Sequence, residues 1–107
     1  MISFEDFKKL EIKIGTIVSA EKVEGSEKLL KLMFDFGLEE KVQILSGIGK
    51  QYQSESLVGK QVPVIVNLEP RMLMGQVSNG MMMAAVVDDA PILLHPDKEV
   101  PPGSLLR

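Results

Sequence analysis

The side chains that could perform acid–base chemistry in this chain are few and poorly arranged. His95 is the single histidine, and between Leu94 and Pro96 it has the surroundings of a turn or surface residue. Asp88 and Asp89 are adjacent at the predicted end of a strand, so their carboxylates point to opposite sides rather than towards one substrate. No Gly-x-Ser-x-Gly nucleophile motif is present. The sequence therefore predicts no catalytic residues.

Metal and cofactor chemistry has no better support in the residue pattern. The chain has no cysteine, which excludes disulfides and thiolate metal sites and is consistent with a reducing cytoplasm. Neither a histidine pair nor the spacing of a calcium-binding loop occurs. The segment 46–50 (SGIGK) is too short for a phosphate-binding loop and does not join a strand to a helix. We expect neither a metal nor a cofactor.

Methionine is the residue type with an unusual distribution. The chain has seven methionines, and those at 72, 74, 81, 82 and 83 fall close together. In an alternating strand Met81 and Met83 share the face opposite Met82, so the three cannot all lie in a core. Flexible core filling explains Met82. An exposed methionine offers an adaptable apolar surface for a base or a partner side chain, and packing and binding both explain Met81.

The overall charge argues against a nucleic-acid partner. Twelve Lys and Arg residues against fifteen Asp and Glu residues give a net charge of −3, whereas phosphate contacts need a positive surface. A local basic patch can coexist with an acidic average, so the objection stays open. The length predicts one globular domain over residues 1–107. No apolar stretch approaches the roughly 20 residues of a membrane span, and we expect no membrane partner.

Two short helical segments are predicted from local signals. Ser3 and Asp6 have the spacing of a capping box, which predicts a helix over residues 4–9. Residues 54–58 before Gly59 predict a single helical turn.

The rest of the pattern is that of β-strands. Alternating apolar residues predict strands over residues 12–18, 30–36, 41–45, 62–68 and 81–87, with a short further strand at 92–94. Gly15 interrupts the first strand, which predicts a bulge or bend there. A loop is predicted over 70–75, and the prolines near the end predict an extended C-terminal segment.

These elements predict a mainly β fold. The favoured arrangement is a five-stranded oligonucleotide/oligosaccharide-binding (OB) barrel with a short N-terminal helix, one short helical connection and an extended C-terminal segment. Periodicity alone does not separate this barrel from other small β-barrels.

Several stretches, taken in order, are similar to one family. They are 7–15 (FKKLEIKIG), 23–32 (VEGSEKLLKL), 46–48 (SGI), 57–60 (LVGK), 67–71 (NLEPR), 78–81 (SNGM) and 102–103 (PG). Together they resemble the tRNA-binding domain appended to the C-terminus of bacterial methionyl-tRNA synthetase, which also occurs as small free-standing proteins. The loop form VEGSEKLL is typical of the methionyl-tRNA synthetase branch.

The resemblance implies a non-catalytic OB barrel that forms a homodimer, binds tRNA by its overall shape and supplies affinity to a synthetase. It also implies site residues. Lys28 matches a loop lysine that would contact phosphate. Ser78 would donate to a phosphate or ribose hydroxyl, and Met81 would pack against a base or sugar. Arg71 would contact phosphate or pair with Glu69. Asn67 is included in the tRNA-binding set, although its place at a strand end favours the role of a loop cap.

Two alternatives remain. Relatives often carry basic residues where this chain has Met72, Leu73 and Met74, so RNA affinity is expected to be reduced. A homodimerisation module with little RNA affinity would use the apolar residues of 92–94 and of the C-terminal segment. A chaperone-like binder of unfolded polypeptide would use the exposed methionines. That export-associated branch lacks the Ser-Gly-Ile and Asn-Leu-x-Pro-Arg patterns.

Overall fold

The structure, a computed structural model, describes residues 1–107 and begins with a short helix, α1 (Phe4–Phe7). The predicted capping box is confirmed. The Ser3 hydroxyl accepts a hydrogen bond from the backbone N–H of Asp6 at 3.1 Å, and the Asp6 carboxylate accepts one from the N–H of Ser3 at 3.4 Å. The helix ends before the predicted residue 9, because Lys9 donates to the carbonyl of Asp6, only three residues back.

Strands make up most of the remaining regular structure. They are β1 (Ile12–Lys22), β2 (Leu30–Asp35), β3 (Val42–Ser46), β4 (Gln61–Ile65), β5 (Arg71–Leu73), β6 (Gln76–Ser78), β7 (Met81–Met82), β8 (Ala84–Val87) and β9 (Ala90–Leu93), with a second helix, α2 (Ser54–Leu57), between β3 and β4. One antiparallel sheet has the order β3-β2-β1-β4-β7 and curls into a nearly closed five-stranded barrel. The predicted fold class is confirmed. Neither helix is long and apolar enough to cross a membrane.

The long strand β1 belongs to both halves of the barrel. It pairs with β4 through residues 12–16 and with β2 through residues 16–22. The prediction of a bulge at Gly15 is wrong, because Gly15 pairs regularly with Val62 and the register shifts at Val18 instead. Such a shift strengthens the local bend and lets one strand serve two neighbours.

Close packing explains the glycine at position 15. A Cβ atom placed there would lie 2.6 Å from Cε1 of Phe36 and 2.7 Å from Cδ1 of Phe34. The two rings stack with their centroids 5.6 Å apart inside the barrel. They share the core with aliphatic side chains from four strands, among them Ile17, Leu32, Ile44, Val62 and Val64. Gly15 therefore makes room for the aromatic centre of the core.

Two strand predictions and one loop prediction need correction. The predicted strand 62–68 ends at Ile65. The predicted strand 81–87 is two strands, since β7 ends at Met82 and the N–H of Met83 donates to the carbonyl of Pro63. Beyond this break β8 leaves the barrel and pairs with β9. The predicted loop 70–75 is part of a hairpin, β5–β6.

The C-terminal segment (residues 94–107) is not helical, as predicted, and its residues 103–106 lie along β1. The N–H of Ile14 donates to the carbonyl of Ser104 at 2.8 Å, and Gly103 donates back to Ile14 at 2.7 Å. Leu106 then donates to the carbonyl of Ile12 at 2.8 Å. The segment thus covers the side of β1 that lies beyond the end of β2.

The crowding at Gly15 generates a stability prediction. Gly15→Ala lowers the free energy of unfolding by about 1–3 kcal/mol, because the new methyl group displaces one of two stacked rings. Urea unfolding followed by circular dichroism measures the change. Gly47→Ala is the matched control, since its nearest neighbour is a flexible lysine carbon at 3.7 Å, and it should shift stability by no more than about 0.5 kcal/mol. Equal midpoints for the two variants would contradict the packing account.

Candidate nucleic-acid interface

Between β3 and β7 the barrel is closed by individual hydrogen bonds instead of a continuous strand ladder. The Ser78 hydroxyl accepts a hydrogen bond from the N–H of Leu45 at 3.0 Å and donates one to the carbonyl of Gly80 at 3.2 Å. The backbone N–H of Asn79 donates to the carbonyl of Gln43 at 3.0 Å. Ser78 is only 1% exposed. Its hydroxyl therefore holds the Ser78–Gly80 turn against β3 from inside the barrel.

Gln43 takes part in the same closure, and sequence reasoning missed it. Its side-chain amide donates to the carbonyl of Val77 at 2.9 Å. The available signal was a polar residue at the centre of an otherwise apolar strand.

Arg71 lies directly opposite Ser78 in the β5–β6 hairpin. The residue is exposed, and its guanidinium forms no ion pair, so the alternative pairing with Glu69 does not occur. The structure thus places a free, planar cation beside the buried serine. A guanidinium in this state can bind phosphate through two parallel hydrogen bonds.

Lys28 stands in the loop between β1 and β2, and its backbone is fixed on both sides. The Ser26 hydroxyl accepts from the N–H of Lys28 at 3.3 Å, and the carbonyl of Lys28 accepts from Gly49 at 2.7 Å. Its side-chain carbons pass within 3.7 Å of the position that a Cβ would occupy on Gly47. The residue is exposed and its ammonium group forms no ion pair.

Met81 borders a surface cleft of about 460 Å³. Met81 is 41% exposed whereas Met82 is 8% exposed, so the prediction that the clustered methionines cannot all be core is confirmed. The cleft is lined on one side by Ser46, Gly47 and Ile48 and on the other by residues from 81 to 91. Lys28 does not line the cleft itself, but its side-chain carbons lie close to Gly47, which does.

The β5–β6 hairpin meets the β1–β2 loop at its tip. The terminal methyl of Met74 lies 3.1 Å from the position of a Cβ on Gly25. Met72 and Val77 form an exposed cross-strand pair on the hairpin. In OB barrels the loops in these two positions flank the ligand face. Here the hairpin adds apolar surface and a single cation, Arg71.

Asn67 is separate from the other predicted site residues. Its side-chain oxygen accepts from the N–H of Glu11 at 2.8 Å, and its amide donates to the carbonyl of Lys9 at 2.7 Å. These bonds join the chain after β4 to the connection between α1 and β1. Both ends of the amide are occupied within the chain, which is the arrangement of a structural cap.

Comparison with known proteins gives this surface its context. Residues 12–105 match the sequence model of a family described as "Putative tRNA binding domain". The chain belongs to this family. It is similar to the methionine–tRNA ligase of Methanothrix thermoacetophila, with 49% identity over 107 residues that make up 100% of this chain and 16% of the ligase. The chain spans about a sixth of the length of the curated relatives it matches.

Two solved structures have the same architecture. The MetRS related protein from Pyrococcus horikoshii superimposes with a TM-score of 0.93 at 35% identity, covering 100% of this chain and 98% of that one. The chaperone CsaA from Bacillus anthracis superimposes with a TM-score of 0.92 at 33% identity, covering 100% and 99%. With the ligase similarity, these matches identify a tRNA-binding domain of the methionyl-tRNA synthetase type.

Barrel closure generates the prediction for this site. Ser78→Ala leaves the N–H of Leu45 buried without its acceptor and lowers the free energy of unfolding by about 1–3 kcal/mol. Chemical denaturation measures the decrease. Ser56→Ala removes a hydroxyl that also donates to a backbone carbonyl but is exposed, and it should change stability far less. If Ser78→Ala is as stable as Ser56→Ala, the hydroxyl does not close the barrel.

Proposed function

We propose that this domain binds tRNA through its shape and phosphate backbone and increases the tRNA affinity of a methionyl-tRNA synthetase to which it is joined or bound. The observation that carries the proposal is that two exposed cations form no ion pair: Lys28 in the β1–β2 loop and Arg71 in the β5–β6 hairpin. In an OB barrel of this family, the segments in these two positions flank the ligand face. The domain contributes binding and no catalytic step. The cytoplasm, where tRNA is charged, is the matching location.

Each site residue has a distinct part in the proposed contact. Lys28 and Arg71 bind phosphates, which position the RNA without reading its sequence. Met81 packs against a base or sugar in the cleft. Ser78 positions the turn that presents Met81, since its hydroxyl is already used inside the barrel. Asn67 supports the end of β4 and makes no contact with RNA.

The expected affinity is moderate. The net charge is −3, and the β5–β6 hairpin presents methionines where extra cations would strengthen phosphate binding. A weak module becomes effective when a second binding site is linked to it, because the second contact is then made at high effective concentration. A parent synthetase or a second copy of the domain supplies that link.

Homodimerisation is part of the proposal and is supported by exposed apolar residues. Leu94 and Leu105 are exposed, and they border a groove of about 390 Å³ together with Val100 and Leu106. A chain of this size gains stability by covering such a surface with a second copy. Two copies place two RNA sites on one particle.

A chaperone-like binding of unfolded polypeptide is the second candidate. Its support is the similarity to CsaA and the exposed group of Met72, Met74 and Val77, which forms an adaptable apolar surface. The ligase similarity covers the entire chain at higher identity and favours tRNA.

A tRNA titration tests the main proposal. Lys28→Gln and Arg71→Gln should each weaken binding about tenfold at roughly 0.1 M salt and lower the slope of log K against log salt by about 0.7–0.9. Fluorescence anisotropy at several salt concentrations measures both quantities, with duplex DNA as competitor. Lys41→Gln is the control. Lys41 directly precedes β3, whereas Ser46, which lines the methionine cleft, is at the other end of that strand. Binding of an unfolded polypeptide without any binding of tRNA would select the chaperone candidate.

Sedimentation velocity tests the dimer. The wild-type chain should sediment as a dimer at micromolar concentration, and Leu94→Glu together with Leu105→Glu should yield a monomer by burying charge in the interface. Leu38→Glu changes an exposed leucine in the β2–β3 connection and should leave the dimer intact. A monomeric wild-type chain would refute this part of the proposal.

A further inference from the structure

A second, polar cleft lies beside the Lys28 loop and has no part in the site described so far. It measures about 150 Å³ and is lined by Lys22, Gly49, Lys50, Gln51, Tyr52 and Gln53. Both lysines are exposed, and the backbone N–H of Lys50 donates to no acceptor in the chain. Ammonium groups, carboxamides and a free N–H are all donors that suit a phosphate oxygen.

The distribution of cations distinguishes this cleft from the rest of the surface. Five of the twelve basic side chains form ion pairs: Lys8 and Lys9 directly after α1, Lys13 and Lys31 in strands, and Lys50. Among the remaining seven, Lys22, Lys28 and Lys60 surround the 47–53 turn. The ammonium of Lys60 lies 5.8 Å from the ring centre of Tyr52, which lines the cleft. Free cations thus collect here although the chain is acidic overall.

Two exposed carboxylates stand close to this group, and each offsets part of its positive charge. Glu27 reaches Lys50 at 3.9 Å with its side chain 91% exposed, which makes a long and solvent-screened pair. The Ser54 hydroxyl donates to Glu55 at 2.8 Å and lowers the pKa of that carboxyl, with a smaller contribution from Lys22. The lowered pKa means that Glu55 is ionised at neutral pH, so one negative charge acts on Lys22.

The residues that line this cleft are connected to the proposed RNA site by a backbone hydrogen bond. The carbonyl of Lys28 accepts the N–H of Gly49 at 2.7 Å, and Gly49 lines the cleft next to Lys50. The side chain of Lys28 meanwhile lies over Gly47, which lines the methionine cleft. The turn 47–50 therefore contributes residues to both clefts and lies close to Lys28 at Gly47 and at Gly49.

We propose that the Lys22–Lys50 cleft binds a backbone phosphate of the same RNA, so that the RNA path runs from Met81 past Lys28 and on to Lys22 and Lys60. This inference rests on the proposed function. The occupant is a phosphodiester in a polynucleotide, because cations on both sides of the turn can be used together only by a ligand that extends across it.

The double variant Lys22→Gln/Lys50→Gln tests the path. Titration with tRNA at about 50 to about 200 mM salt should show at least tenfold weaker binding at 0.1 M, and each lysine–phosphate interaction removed should reduce the salt slope by about 0.7–0.9. Both lysines are exposed, so the unfolding midpoint should equal that of wild type. Lys41→Gln again serves as the matched control.

The outcomes separate this inference from the proposed function. If wild type binds tRNA, Lys28→Gln weakens binding and the double variant binds like wild type, the RNA does not reach this cleft. If wild type binds no tRNA at low salt, the proposed function fails and the inference fails with it.

Removing a negative charge beside the cleft, instead of a positive one, provides an independent check. Glu27→Gln frees Lys50 and should strengthen tRNA binding several-fold, and the gain should shrink in a Lys50→Gln background because the two residues are coupled. Glu39→Gln, in the β2–β3 connection, is the control for net charge. An equal gain from Glu27→Gln and Glu39→Gln, or the same gain in both backgrounds, would overturn the role of Lys50.

Discussion

The hydrogen bond from the N–H of Leu45 to the hydroxyl of Ser78 is the interaction on which the functional surface depends. A barrel has to pair or cover the edge of its last strand, and β7, with two residues, is too short to form a ladder with β3. A side chain replaces the missing strand partner. The same hydroxyl holds Gly80, whose position against the carbonyl of Ile65 leaves no room for a Cβ. One buried oxygen thus sets the positions of β7, the hairpin base and the methionine cleft.

Sequence patterns predicted the barrel because apolar and polar residues alternate clearly along its strands. The predictions failed where two different structural causes give the same residue pattern. A glycine within a strand indicates either a bulge or a crowded neighbour. At Gly15 the cause is the pair of phenylalanine rings, which belong to another part of the chain and cannot be seen locally. The β5–β6 hairpin was missed for a related reason. Its turn places Met74 at a φ of 52° before Gly75 at 77°, and methionine is not a residue that indicates a left-handed turn.

The sequence predicted the residues of the candidate site, but only in part how the fold arranges their side chains. Resemblance supplied Lys28, Arg71, Ser78, Met81 and Asn67, and their residue types suggested donors and apolar contacts. The fold divides them by burial: Arg71 and Lys28 are free at the surface, whereas the polar groups of Ser78 and Asn67 are used inside the chain. Net charge conceals the local distribution, because carboxylates pair with Lys8, Lys9 and Lys13 whereas Lys22, Lys28 and Lys60 form no ion pair. An average over the chain cannot report such a separation.

The pairing of the C-terminal segment with β1 has a mechanical consequence. The two segments run antiparallel, and Leu106 is hydrogen-bonded to Ile12. The chain therefore enters and leaves the barrel at neighbouring positions. A pulling force applied at these two positions breaks the hydrogen bonds one after another, first at Leu106, then at Ser104 and Gly103. Peeling of this kind needs less force than shearing all the bonds at once. Under load the C-terminal segment detaches first, the β1–β4 ladder at residues 12–16 is loaded next, and the β1–β2 ladder that precedes the Lys28 loop is loaded last.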